Sequence, residues 1–365
     1  MTAKEIIAII GAGAIGRGFL PWKINTNKYD LVFVDINPEI VNGMNKNGGF
    51  LTFKSHNGKL EEKFVRASRS CLISEFKAAN YTNLAAVFVA VGPSNVKAVA
   101  DCLKGVSGSI ILCENDPETV ELLKADLGTD NVYFAIPDVI ASNTASSENL
   151  LRDELAIHTE NGKLFVDDRA NRIDGDIEYI SVDELLNKEW EAKLFLHNTP
   201  HCIAAYLGAM YGMIYLHEVM EHPELRETVS GSMNEMLSAL KNKNGSRNKN
   251  GNENRNENKN ENDHAFLDQY AAKEIERFSD KLLCDPISRV AREPYRKLQP
   301  NGRLIGAVKL CHSAGVSYDN IMIGIAGAAL YAYREEFGEN EATHCVSDKE
   351  KISHVFAKIG LINQK

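Results

Sequence analysis

EIIAIIGAGAIGRGF, residues 5–19, decides how the chain folds. Glu5 to Ile10 is a short isoleucine-rich run, of the kind buried on both faces of a parallel sheet. It passes without a linker into Gly11-Ala12-Gly13-Ala14-Ile15-Gly16, a G-x-G-x-x-G turn that opens a helix. Glycine suits these positions because the backbone must turn tightly and approach a pyrophosphate closely. The N-terminal amides of the following helix then point at the phosphates. Arg17 stands where it can add a charge-assisted contact to a phosphate or simply face water. The motif alone is weak evidence, but a second strand, Leu31 to Val34, ends in Asp35, near the expected ~20-residue spacing. An acidic side chain there can hydrogen-bond both ribose hydroxyls and would repel a 2′-phosphate, which favours NAD over NADP.

Two further strand ends extend the candidate cofactor set. Ala85 to Val91 stops at Gly92-Pro93, and Ser109 to Cys113 stops at Glu114-Asn115. In a doubly wound sheet, ligands bind beyond the carboxyl ends of the strands, which brings in Val91, Gly92, Glu114 and Asn115. Ordinary turn chemistry explains Gly92-Pro93 equally well. Val132 to Val139 reads as a later strand, and Leu155 to Ile180 as a β-hairpin insertion turning at Asn161-Gly162. Residues 1–185 are therefore expected to form a Rossmann-type, doubly wound α/β domain.

From Val182 onward the hydrophobic period becomes helical, so 186–365 is expected as a mostly α-helical domain. It opens on KLFLHNTPHCIAAYLG, residues 193–208. Asn198 and His201, at i and i+3, share a helix face. Lys193 would lie about 140° round an ideal α-helix from Asn198. Lysine can accept a proton if its pKa is lowered, and asparagine and histidine can hold a carbonyl or alkoxide oxygen. An ordinary polar helix face would carry the same three residues. Pro200 predicts a break near Asn198-Thr199, because proline suits only a first helical turn. Ile203, Tyr206, Leu207, Met210 and Ile214 mark a core-facing stripe. A second helix opens at Pro223, with Leu225, Val229, Met233, Met236 and Leu240 inward. Residues 242–262 contain no apolar side chain and are expected as a disordered surface insertion. Asp263 is expected to cap the next helix, which carries Phe266, Tyr270 and Phe278. The basic run Ser288 to Arg303 is either a solvated face or an anion site, and Met322 to Tyr333 is an apolar helix central to this domain.

Composition narrows the partners. The length of 365 residues suits two domains, and 44% apolar with 25% charged residues is ordinary for a soluble protein. A net charge of −9 argues against nucleic acid or an anionic membrane as partner. Seven scattered cysteines, without a CxxC pair or zinc-like spacing, fit reduced thiols and a cytoplasmic setting. The opening residues leave no room for a signal peptide, and no apolar run approaches the ~18 residues of a membrane span.

With these residues in hand, the chain resembles the polyol-specific long-chain dehydrogenases of the mannitol dehydrogenase family. The resemblance rests on GAGAIGRGF (11–19), FVDIN (33–37), VAVGP (89–93), CEN (113–115), KLFLHNTPHCIAAYLG (193–208) and REPYRKLQPNGRLI (292–305). It covers nearly the whole chain apart from the Asn-rich insertion, and the K-x4-N-x2-H pattern is highly specific. The resemblance implies that Lys193 is the general acid/base and that Asn198 and His201 bind the reacting oxygen, without any metal. It implies hydride transfer between NAD and a sugar alcohol or its phosphate, such as mannitol 1-phosphate with fructose 6-phosphate as its ketone. A phosphorylated substrate needs cations, and Arg296, Lys297 and Arg303 are the candidates.

Two positions depart from the family pattern. The strand end Phe134 to Val139 lacks the usual Val-Asp-Arg arginine, and Pro200 stands where glycine is usual. Both fall near the expected substrate pocket. A same-family enzyme acting on free mannitol or a hexonate such as altronate stays open, as does a nucleotide-binding protein with a degenerate pocket. The intact Lys193, Asn198 and His201 set speaks against the last.

Overall fold

The computed structural model describes residues 4–247, 253–300 and 302–338. Strand β1, Glu5–Ile10, lies inside an eight-stranded sheet. It pairs in parallel with β2, Tyr29–Asp35, from Glu5 opposite Tyr29 to Ile10 opposite Val34. The chain then makes an antiparallel ribbon from β3, Gly49–His56, and β4, Lys59–Arg66. It returns as β5, Arg69–Leu72, alongside β2. β6, Leu84–Val89, crosses to the other edge of β1, and β7, Ser109–Leu112, and β8, Val132–Asp138, follow outward, all parallel. The winding direction therefore reverses between β1 and β6, which opens a crevice beyond their carboxyl ends. Ile7 and Ile9 enter the core on one face of the sheet, Ala8 and Ile10 the core on the other. Burial on both faces is why the run reads as continuously apolar.

Two glycines make the crevice possible. Gly11 has φ +93°, and a Cβ there would sit 2.3 Å from the Ala90 carbonyl oxygen on the neighbouring strand. A Cβ on Gly16 would lie 2.0 Å from the Gly11 carbonyl oxygen. Gly13, between them, has nothing within 4 Å of that position.

The expected hairpin at Asn161-Gly162 does not form. β9, Ile157–Glu160, pairs in parallel with β3, whereas β10, Lys163–Asp167, runs antiparallel to β8 and carries β11, Glu178–Ile180, on its outer edge. The two strands part into different sheets after a tight connection. A Cβ on Gly162 would meet the Asp138 carbonyl oxygen at 2.3 Å, so this glycine serves a close backbone crossing.

The chain groups into two compact units, Met1–Trp190 with Leu282–Cys284, and Glu191–Lys281 with Asp285–Lys365. In the second unit, residues 199–208 of the Thr199–Met210 helix are all buried. Gly324 of the Asp319–Phe337 helix lies where a Cβ would be 2.4 Å from Ile203, and Gly208 lies against Ile287 and Val219. Small residues thus let the helices close on this central one. The Pro223–Arg247 helix buries Leu225, Val229, Met233, Met236 and Leu240. Its Glu235 accepts from the backbone N–H groups of Asn320 and Ile321 at 2.9 and 3.1 Å. A carboxylate from one helix thereby caps the positive end of another.

Three helical expectations are corrected. Met210 and Ile214 are 39% and 63% exposed, because the helix ends at Met210 and Ile214 falls in the connection beyond it. Residues 242–247 complete the Pro223–Arg247 helix and 253–262 begin the Glu253–Phe278 helix, while 248–252 lie outside the described residues. Once packed flanks supply a nucleus, each added residue gains a hydrogen bond, and polar composition alone does not stop propagation. Asp263 consequently sits inside a helix and caps nothing.

Replacing Gly11 by alanine combines left-handed strain of ~1–2 kcal/mol with a clash against backbone that cannot yield. We expect Gly11→Ala to lower the thermal unfolding midpoint by several degrees and Gly13→Ala to leave it within about a degree. Equal midpoints for the two variants would contradict this account of the turn.

Candidate active site

The nucleotide corner of the first unit is built from strand tips. Asp35, at the end of β2, accepts the Ala12 N–H on Oδ2 at 2.7 Å and the Asn37 N–H on Oδ1 at 2.8 Å. A carboxylate offers about four acceptor sites, so each oxygen keeps a lone pair for a ligand hydroxyl. Ile36 beside it is 78% exposed, an apolar surface that the sequence pattern did not single out.

Arg17 and Glu114 have structural roles that the sequence did not predict. Arg17 is buried rather than facing a phosphate or water. Its Nε donates to the Ala12 carbonyl at 2.6 Å and its Nη1 to the Leu155 carbonyl. Burial brings its pKa down to about 10, against the raising influence of Asp35 and Asp153. Glu114 is also buried, and its Oε1 accepts the N–H groups of Val91 and Gly92 at 2.8 and 3.1 Å. It fixes the β6 tip from the β7 tip, which leaves the exposed Asn115 as the candidate ligand of that pair. Gly92 has φ +90°, a conformation that glycine adopts without strain.

In the second unit, the stretch from Lys193 to Asn198 is a π-helical turn that continues directly into the Thr199–Met210 helix. Hydrogen bonds from i to i+5 put more residues into each turn, so residues five apart lie closer round the axis than the about 140° of an α-helix. Widening the turn therefore brings Lys193 nearer to the face of Asn198. Pro200 falls in the first turn of the following helix, where its missing N–H is harmless. All three side chains are buried: Lys193 and Asn198 are 4% exposed and His201 6%. Among the described residues, Asn198 Nδ2 has no hydrogen-bond partner. An unmet buried donor costs ~1–3 kcal/mol, which a ligand oxygen could relieve.

Sequence reading missed the groups that set the histidine. His201 Nε2 lies 3.0 Å from Asp285 Oδ2, while Arg289 Nε donates to Asp285 Oδ1 at 2.9 Å. A carboxylate only accepts, so Nε2 carries the proton and Nδ1 keeps a lone pair. Burial pushes His201 down to about 4, outweighing the opposing pull of Asp285. Burial also resists ionisation of Asp285, but Arg289 and His201 win and hold its carboxyl below its ordinary value. The Phe278 ring stacks on His201 at 5.1 Å, and the neighbouring His197 bonds Glu274 Oε2 at 2.5 Å. The i, i+4 spacing of His197 and His201 was the available signal, whereas Asp285 and Glu274 lie more than seventy residues away in sequence.

The three expected phosphate cations separate. Lys297 is buried, and its amine donates to the Val290 carbonyl and to the Arg292 carbonyl at 2.6 Å, so it braces the backbone. Arg296 is paired with Glu293 at 3.0 Å. Arg303 has its backbone carbonyl held by Thr199 Oγ1 at 2.8 Å, and its guanidinium makes no hydrogen bond or ion pair among the described residues.

Residues 5–131 match the family model of the mannitol dehydrogenase Rossmann domain, and residues 187–359 that of the mannitol dehydrogenase C-terminal domain. The chain belongs to the mannitol dehydrogenase family. Within the family it is 28% identical to a protein of Clostridium acetobutylicum named mannitol-1-phosphate 5-dehydrogenase, over 97% of this chain and 94% of that one. A protein of the same name from Caldanaerobacter subterraneus is also 28% identical, over 96% and 95% of the two chains. In fold, the chain is similar to Pseudomonas fluorescens mannitol 2-dehydrogenase, solved as a ternary complex with NAD and D-mannitol. That match has a TM-score of 0.69 at 15% identity, and covers 98% of this chain and 87% of that one. The Rossmann-type sheet followed by a mostly helical domain, expected from the sequence, is thus the family architecture.

His201 gives the site a pH signature. Its pKa is lowered on folding, so between about 6.5 and about 4 the unfolded chain binds a proton that the folded chain does not. Stability is then complete above about 6.5 and falls as pH drops through this window, with Asp285 adding loss in the same direction below its ordinary pKa. Urea unfolding at a series of pH values should show this slope, and His201→Gln should flatten it. A slope that survives unchanged in the variant would place its origin elsewhere.

Proposed function

We propose that this chain interconverts a polyol phosphate and a ketose phosphate with NAD, mannitol 1-phosphate and fructose 6-phosphate being the pair. The observation that carries this reading is the buried, unpartnered amide of Asn198 on the same widened turn as Lys193. A donor held in a water-poor site, beside an amine that can take a proton, is what oxidation of an alcohol requires. Membership of the family and the shared name of the relatives support the substrate.

The residues of the first unit fit a dinucleotide. Gly13 leaves open space where backbone must approach a pyrophosphate, and Asp35 retains an acceptor on each oxygen for ribose hydroxyls. Its charge opposes a 2′-phosphate, which favours NAD over NADP. When bound, the nicotinamide accepts or returns the hydride. The chain supplies the rest. Lys193 takes the hydroxyl proton at Nζ as the carbon–hydrogen bond breaks and returns it in the reverse direction. Asn198 donates from Nδ2 to the oxygen as it passes from hydroxyl to carbonyl. His201 stays neutral, and the Nδ1 lone pair orients a substrate hydroxyl, while Asp285 and Arg289 hold the ring. This reading modifies the expectation that His201 binds the reacting oxygen together with Asn198.

Lys193→Ala should lower kcat by at least ~10²-fold while nucleotide affinity is retained. Asn198→Ala should lower kcat by ~10²–10³-fold. Both are measured from NADH absorbance with mannitol 1-phosphate, and near-normal turnover in Lys193→Ala would sink the mechanism. A separate arm concerns the cofactor. The wild type should prefer NAD, and Asp35→Ser should erode that preference; equal use of NAD and NADP by the wild type would remove the role given to Asp35.

A further inference from the structure

The segment after Glu293 carries an unbalanced charge. Arg296, Lys297 and Arg303 act on one another, and among the charged groups that act on them Glu293 is the carboxylate. With Arg296 paired to Glu293, the charge of Arg303 is left without a counterion among these groups. Burial, with Arg303 next in effect, brings Lys297 down to about 7, and burial also lowers Arg303, with Arg296 adding to it. Lys297 and Arg296 are tied to carbonyls and to Glu293, whereas Arg303 keeps its whole fork available. Arg303 is half-buried.

Position ties this charge to the reacting group. Thr199, which holds the Arg303 carbonyl, directly follows Asn198. Asn198, Cys202 and Tyr206 follow at four-residue intervals down one face of the helix, spanning eight residues or ~12 Å. The groups acting on Arg303 include Cys202 first and then Tyr206, so its guanidinium lies along that face, beyond Asn198. Tyr206 is fully buried, and its hydroxyl is a second donor without a partner. An open six-carbon chain ending in a phosphate ester has a length of this order. We propose that Arg303 is the direct ligand of a phosphate-monoester dianion, in a subsite beyond Asn198 that reads the end of the polyol remote from the reacting carbon. A phosphate monoester carries ≈ −1.5 to −2 charges at neutral pH and supplies the counterion that Arg303 lacks. The planar fork of arginine engages two of its oxygens at once. This inference rests on the polyol-phosphate reading given above and deepens it.

The test uses the full-length, NAD-loaded protein. Calorimetry with mannitol 1-phosphate should show Kd raised about ten- to hundredfold in Arg303→Gln, the effect of losing a charged hydrogen bond. Arg303→Lys should lose most of the same affinity, since it keeps the charge but not the fork, and it decides the question if the glutamine variant does not fold. Inorganic phosphate should compete with mannitol 1-phosphate in the wild type and lose that ability in the variants. NADH affinity, followed by fluorescence, should stay within about twofold of the wild type. Unchanged affinity for mannitol 1-phosphate in both variants overturns the proposal. An equal loss of NADH affinity also overturns it, because the cation would then serve the cofactor pyrophosphate. A wild type that oxidises free mannitol but not mannitol 1-phosphate would instead overturn the polyol-phosphate reading, a result distinct from either.

Discussion

The widened turn at Lys193–Asn198 is the constraint on which the second unit depends. In a regular α-helix the lysine would point about a third of the way round from the asparagine, and the two could meet only by bending a long side chain. Widening the turn reduces that difference, and it does so inside a helix whose next ten residues are buried. Such turns leave the i→i−4 ladder locally and are poorer in hydrogen-bond geometry. The helix that follows it is held by close packing at Gly208, Gly324 and Gly327. The geometry of the candidate catalytic group is therefore set by packing rather than by local preference.

A second theme is the use of buried charge to brace backbone. Arg17 holds the carbonyls of Ala12 and Leu155, Lys297 those of Val290 and Arg292, and Glu114 the amides of Val91 and Gly92. Glu235 does the same for the start of a helix. Each is a long side chain with a charge-assisted hydrogen bond, stronger than a neutral one by roughly a factor of two. Loops that must stay open toward a ligand cannot be filled with apolar side chains. Polar braces from behind give them shape without closing them.

These braces also explain what the sequence made legible. The sheet was readable because β1, the glycine turn and Asp35 follow one another at fixed, local spacings. The candidate triple could be picked out because Lys193, Asn198 and His201 lie within nine residues. Arg17, Glu114 and Lys297 were expected to face ligands and instead face backbone. Residue type and position near a strand tip or in a basic run cannot distinguish the two uses, since both exploit the same hydrogen-bonding capacity. Asp285 and Glu274 were invisible for a different reason: their histidine partners lie 84 and 77 residues away, beyond any local pattern. The false hairpin at Asn161-Gly162 arose from a correct glycine signal given the wrong cause, a close crossing over Asp138 and not a turn between paired strands.

The short return of Leu282–Cys284 to the first unit has its own consequence. The Leu282 carbonyl meets His158 Nδ1 at 2.7 Å, and the Cys284 carbonyl accepts from Ser142 Oγ at 3.1 Å. The dinucleotide unit therefore lacks two of its internal partners until the ribosome has passed residue 284, although its other residues emerge long before. Synthesis order and folding order diverge in this molecule. A fragment ended near residue 190 would lack the two carbonyls that His158 and Ser142 meet, so the two units are separable in description but share one chain in assembly.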